Sequence, residues 1–217
     1  MRVVIAGGHG KIALRLEKLL AANGDVAVGI IRNVEHAAEL RDVSAEPAVV
    51  DLEATTVDEV AEVLDGADVA VFAAGAGPGS GLARKETVDH AAAVLFADAA
   101  ERAGVRRHVQ VSAMGLDRAD DPATDEVFAA YLRAKAAAEA DLRSRDLEWT
   151  ILRPGRLTDE PGTGMVHLTE HVEPGEVPRD DVAAVLMAVV ADESVTVRRT
   201  LELTSGNTPI DEALGRL

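Results

Sequence analysis

The chain reads as a doubly wound α/β fold, a mostly parallel sheet of roughly seven strands in a three-layer αβα arrangement. Two observations point there. Short apolar runs alternate with helical stretches of about 10–15 residues, the pattern of βαβ units, whose crossovers are right-handed. The first run, Val3-Val4-Ile5-Ala6, passes directly into Gly7-Gly8-His9-Gly10 and then into a helix. Strand, glycine turn and helix together make an anion cradle, because backbone N–H groups approach the ligand closely and the helix N-terminus adds partial positive charge. A length of 217 residues sets one domain, 1–217, as the expectation.

After the first strand, Ile12, Leu16, Leu19 and Leu20 recur at helical spacing. Two registers of a dinucleotide fingerprint fit the turn: Gly8-x-Gly10-x-x-Ala13 and Gly7-x-x-Gly10-x-x-Ala13. The second is preferred, since Gly7 directly follows the strand, where a tight turn must begin. The turn is not a P-loop, because Ile12 stands where Ser or Thr belongs. Asp25–Ile31 is the second strand, Val34–Leu40 a short helix, and Ala48–Val50 a third strand ending at Asp51-Leu52. A helix from Val57 to Leu64 leads into a fourth strand, Val69–Phe72, followed by the loop Ala73–Gly81. An Ala-rich helix from about Ala83 to Ala103 is capped by Gly104, and His108–Val111 is strand five.

Composition narrows the function classes. The chain has no cysteine, which excludes disulfides, thiolate metal sites and cysteine nucleophiles. Its net charge of −16 argues against a nucleic-acid partner, which wants a basic face. No apolar run reaches the about 18–20 residues of a membrane span, and no signal peptide precedes the first strand, so a soluble cytoplasmic protein, monomer or homodimer, is expected.

Chemistry gathers at strand ends. Arg32, followed by Asn33, closes strand two, where dinucleotide folds that bind NAD place an acid on the ribose 2′-OH. A guanidinium cannot accept that bond but pairs well with a 2′-phosphate, so NADP(H) is favoured over NAD(H). Asp51 is the natural acceptor for the adenine amino group. Strand five runs into Ser112, and Tyr131 and Lys135 share one helix face as i and i+4. Tyr131 is the sole tyrosine, and Lys135 is one of four lysines. A lysine one turn away is expected to lower the tyrosine pKa and fit it for general acid–base work. Ser112 is placed to orient a substrate carbonyl.

These residues resemble the short-chain dehydrogenase/reductase superfamily, and within it the atypical, compact branch of NmrA-like and biliverdin-reductase-B-like proteins. The carriers are Gly7-Gly8-His9-Gly10-Lys11-Ile12-Ala13, Arg32, Asp51-Leu52, Ala73-Ala74-Gly75, Val111-Ser112-Ala113, Tyr131-x-x-x-Lys135 and Trp149–Gly155. The resemblance implies a Rossmann fold and a cofactor site made of those segments with Asn33 and, beside the nicotinamide, Pro154, Gly155 and Arg156. It implies Ser112, Tyr131 and Lys135 as the catalytic set, Lys135 also holding the nicotinamide ribose.

Past Gly155 the character changes. Residues 156–177 read as loops of a small C-terminal substrate cap, with a short strand near Met165–Leu168. His167-Leu168-Thr169-Glu170-His171 matches a zinc-protease pattern that requires a helix, and the Gly- and Pro-rich flanks argue against one, so no metal is expected. Arg179-Asp180-Asp181-Val182 opens a helix whose aspartates are expected to cap it, and Val195–Leu203 is a last strand. The expected activity is hydride transfer to or from a small carbonyl, quinone or flavin-like substrate. The alternatives are a non-catalytic NADP(H) redox sensor and a sugar-nucleotide epimerase or dehydratase, the latter disfavoured by the short cap.

Overall fold

Strand β1 (Arg2–Ala6) lies inside the sheet, and its pleat explains the layers. Val3 and Ile5 face one hydrophobic cluster, Val4 and Ala6 the other, and all four are fully buried. The structure is a computed structural model that describes residues 1–77, 79–192 and 194–217; Pro78, in the expected glycine loop, and Glu193 lie outside the described residues.

Helix α1 (Lys11–Ala22) follows, then β2 (Val26–Ile31), a 3-10 turn with α2 (Ala37–Asp42), and β3 (Glu46–Val49). Helix α3 (Val57–Leu64) opens with a capping box, in which Thr56 Oγ1 accepts from Glu59 N and the Glu59 carboxylate accepts from Thr56 N. Strand β4 (Val69–Phe72) leads through the loop to α4 (Gly81–Arg84), a π-helical stretch Lys85–Ala91, and α5 (Ala92–Ala103). The long helix expected from the Ala-rich run is thus present with a widened segment inside it. Strand β5 (Arg107–Val111), α6 (Glu126–Arg143) and β6 (Glu148–Pro154) complete the second half. The rest comprises β7 (Arg156–Thr158), β8 (Met165–Thr169), β9 (Glu176–Pro178), α7 (Arg179–Ala191), β10 (Arg199–Ser205), β11 (Thr208–Pro209) and α8 (Ile210–Leu214).

Seven strands run parallel in the order β3-β2-β1-β4-β5-β6-β10. Among the described residues the sheet is extended to nine by β8, antiparallel to β10, and by β11, antiparallel to β8 and so parallel to the other seven. The chain reverses its march across the sheet between β1 and β4, and ligands of such sheets bind at the carboxyl ends of strands at that point. Leu16 and Leu20 of α1 pack with Val182, Val185 and Leu186 of α7 on one face. Val60 and Leu64 of α3 pack with Phe96 and Ala99 of α5 on the other.

Two local expectations are corrected. Asp180 and Asp181 do not cap α7, whose N-cap is Pro178 with no side-chain bond. Their carboxylates instead accept from the N–H groups of Gly162, Thr163 and Gly164, pinning that loop to the helix. The last strand starts at Arg199 rather than Val195, because Arg198 takes φ 58 and the preceding turn directs Thr196 inward, where its hydroxyl accepts from buried Arg107 at 3.0 Å. Among the described residues no helix is long and apolar enough to cross a membrane.

Candidate functional site

The glycine turn begins at Gly7, in the spaced register. Gly7 has φ +82, and the turn is closed by Gly10 N donating to Gly7 O at 2.8 Å. A Cβ on Gly7 would stand 2.7 Å from the Ala74 Cα, so only glycine lets the turn touch the loop after β4. Gly10 is the N-cap of α1 without a side-chain cap, which leaves first-turn N–H groups open to an anion.

Beside this turn lies a cleft of about 310 Å³. Of the expected cofactor residues, Gly7, His9, Gly10, Arg32, Asp51, Leu52, Ala73, Ala74 and Gly75 line it. Others stand elsewhere. Gly8 is turned to the helix–strand seam, where a Cβ would come 2.5 Å from the Gly29 Cα. Lys11 Nζ donates to Asp159 Oδ2 at 2.6 Å, which ties the start of α1 to the segment after Gly155. Ile12 packs against the hydrophobic core, and Asn33 caps the 3-10 turn by accepting from Glu35 N.

Sequence reading missed His36, Glu53 and Arg84, which also line the cleft. His36 stacks on His9, ring centroids 3.6 Å apart. Glu53 Oε2 accepts from Arg84 Nη2 at 2.7 Å and lies 3.4 Å from Arg32 Nη1. These contacts join loops remote in sequence, which no local spacing announces.

Under the turn lies a buried acid. Glu17 of α1 is fully buried, neither carboxyl oxygen has a partner among the described residues, and burial pushes its pKa up to about 8. The unfolded chain ionises this group near the ordinary glutamate value while the folded chain keeps the proton. The folded state thus binds more protons, and stability falls as pH rises from about 4.5 to about 8. Glu17→Gln is expected to flatten that slope and to raise stability at pH 7 by a few kcal/mol at most, about 1.4 per pKa unit. Thermal melts of both proteins at mildly acidic and mildly alkaline pH check it; equal slopes contradict it.

The expected catalytic residues meet at the carboxyl end of β5. Lys135, almost fully buried, donates from Nζ to Val111 O at 3.2 Å and lies 3.4 Å from Asp89 Oδ1. Ser112, the next residue, has a buried hydroxyl with no hydrogen-bond partner among the described residues. The Tyr131 ring lies 5.9 Å from Lys135 Nζ and 5.3 Å from Lys85 Nζ, and stacks on Phe128 at 5.9 Å. The expected depression of the Tyr131 pKa is corrected: burial and then the Asp89 carboxylate push it above its usual value. Lys135 is itself pushed down by burial, with Asp89 opposing.

Asp89 is the chief residue that sequence reading passed over. It is fully buried, and its Oδ2 accepts from Ala76 N at 3.3 Å, so it links Lys135 to the loop that walls the cleft. A signal existed: Asp89, Ala92, Ala93 and Phe96 share the buried face of the long helix, and a carboxylate on such a stripe needs a partner. Buried Glu139 fixes α6 to the sheet, receiving Arg153 Nε at 2.9 Å and Nη2 at 2.6 Å. Pro154, Gly155 and Arg156 do not line the cleft. Pro154 O accepts from Met114 N, Gly155 packs on Gly175 and Thr204, and exposed Arg156 pairs with Glu176 between β7 and β9.

Comparison with known proteins agrees with this geometry. Residues 7–193 match the NAD(P)H-binding family. A Bacillus subtilis protein named an uncharacterized sugar epimerase is 36% identical, with all of both chains covered. A solved Bacillus halodurans structure, named among NAD-dependent epimerase/dehydratases, superposes with TM-score 0.92 at 33% identity over all of both chains. The structure of the oxidoreductase ylbE of Lactococcus lactis gives TM-score 0.85 at 27% identity, covering 100% of this chain and 96% of that one. With a cleft at the switch point of a Rossmann sheet, a glycine turn at its edge and a family match over most of its length, the chain belongs to the NAD(P)H-binding family.

Proposed function

We propose that the protein is an NADP(H)-dependent reductase of short-chain dehydrogenase type acting on a small carbonyl, quinone or flavin-like acceptor. The observation that carries this reading is the cluster of Ser112, Tyr131 and Lys135 at the end of β5, joined to the nucleotide cleft through Asp89 and Ala76. A dinucleotide held by the Gly7–Gly10 turn, Arg32 and Asp51 would supply a hydride there. Ser112 Oγ, free of internal partners among the described residues, donates to the acceptor oxygen and orients it. Tyr131 gives its phenolic proton to that oxygen, so a carbonyl reduced there leaves as an alcohol. Its raised pKa keeps the proton in place at neutral pH and handicaps the reverse reaction, which needs a phenolate base. The Lys135 ammonium stabilises the phenolate left behind, which solvent reprotonates. In this reading residues 156–177, tied to α1 by the Lys11–Asp159 pair, make up the substrate cap.

Arg32, more than half exposed at the cleft, selects NADP(H) by pairing with the 2′-phosphate. NADPH is expected to bind more tightly than NADH, and Arg32→Ala to reduce the difference about tenfold, the worth of one charge-assisted contact. Calorimetric titration of both nucleotides into both proteins checks this; equal affinities in the intact protein would sink it.

A second reading, a sugar-nucleotide epimerase or dehydratase, draws on the names of the two Bacillus relatives. The short segment after Gly155 weighs against it, since it leaves little chain for a large sugar-binding subdomain.

A further inference from the structure

Glu53 sits between two arginines that reach it from different walls of the cleft. Arg32 directly follows β2, and its Nη1 lies 3.4 Å from Glu53 Oε2. Arg84 ends α4, beyond the loop after β4, and its Nη2 donates to the same oxygen at 2.7 Å. Thr87 Oγ1 holds the other oxygen at 2.6 Å. The Arg84 and Thr87 hydrogen bonds, with the charges of both arginines, keep this carboxylate below the usual range.

Both guanidinium groups remain partly open to solvent, at 55% and 32% exposure. One carboxylate oxygen between two guanidinium forks leaves most of their donors unused. A phosphate monoester carries roughly twice the charge and three acceptor oxygens, and so satisfies such a pair better. An internal carboxylate bridging two cations that line a nucleotide cleft has the arrangement of an anion site held by a weaker, built-in anion.

We propose that Arg84 and Arg32 form a cross-cleft clamp for the ribose 2′-phosphate of NADP(H), with Glu53 as the internal anion that holds the clamp when no nucleotide is bound. The proposal rests on the cofactor reading above. It makes Arg84 a second specificity-determining residue. It also connects the 2′-phosphate to the loop whose Ala76 N–H is held by Asp89, and through Asp89 to Lys135.

The test is the affinity of NADPH and of NADH for the full chain and for Arg84→Ala, Arg84→Lys and Glu53→Gln. Arg84→Ala weakens NADPH about tenfold or more and NADH by less than about twofold. Arg84→Lys, which keeps a charge but loses the fork, falls between. Glu53→Gln removes the competing charge and tightens NADPH relative to NADH. Equal losses for both nucleotides in Arg84→Ala, or no loss for either, overturn the clamp while leaving NADP(H) binding intact. If the unaltered chain binds neither nucleotide, the cofactor reading falls and the clamp falls with it.

Discussion

Tyr131→Phe reduces acceptors about 10²–10⁴-fold more slowly than the parent, the span of a lost general acid, and keeps NADPH affinity within about twofold. The substitution removes one hydroxyl from a ring that stays seated between Phe128 and the two lysines. Binding is expected to survive because the nucleotide cleft is lined by the glycine turn and the ends of β2, β3 and β4, and Tyr131 is not among its lining residues. The pH profile adds a second signature. Because burial and Asp89 raise the Tyr131 pKa, the proton donor is intact across the neutral range, and the parent's reductive rate falls only at strongly alkaline pH. A reductive rate that declines through neutrality would contradict that assignment, as would a Phe variant with parental turnover. Steady-state kinetics with a saturating acceptor, set beside a direct NADPH titration, separates the two effects.

Asp89→Ala destabilises the fold by about 3 kcal/mol or more, the cost of stripping one partner from a buried pair, which for a chain of this size is a drop of about 6–12 °C in melting temperature. The loss has two parts: Lys135 keeps only the Val111 carbonyl, and Ala76 N–H loses its acceptor. Asp89→Asn, which retains an acceptor for Ala76, loses less. The alanine variant also steepens a pH dependence that the parent already carries. With its counter-charge gone, burial drives the Lys135 pKa lower still, so the folded state binds fewer protons than the unfolded one and stability climbs with pH toward the ordinary lysine value. Thermal melts across that range read both effects. A variant within about 1 kcal/mol of the parent would mean the pair contributes nothing beyond an ordinary surface contact.

What could be read in the sequence, and what could not, divides along a physical line. The β1–turn–α1 unit was legible because all its determinants lie within a dozen neighbouring residues: an apolar run, a glycine that must take positive φ, and helical periodicity after it. Arg32 and Asp51 were legible for the same reason, since the end of a strand fixes the edge of the sheet a side chain occupies. The parallel order followed from the alternation of strands and helices. The reversed direction of β8 at the β10 edge did not, because an apolar run carries no mark of its direction. The spacing of Tyr131 and Lys135 showed that they share a helix face, yet it gave the wrong sign for the tyrosine pKa. That sign is set first by burial of the ring and then by Asp89, which a different helix delivers to the same spot. The Glu53–Arg84 contact and the tether of residues 162–164 to Asp180 and Asp181 are likewise meetings of separate loops. In each case the missing information was which partner neutralises a buried or convergent charge.

The central claim is that nucleotide cleft and β5-end cluster form one reductive site. The direct measurement is NADPH oxidation, followed by nicotinamide absorbance, with a panel of small aldehydes, ketones, quinones and free flavins, run in parallel on Tyr131→Phe. The parent is expected to oxidise NADPH with at least one of these acceptor classes, and Tyr131→Phe to lose most of that rate. Tight NADPH binding without oxidation by any acceptor, or oxidation that Tyr131→Phe leaves untouched, would contradict it.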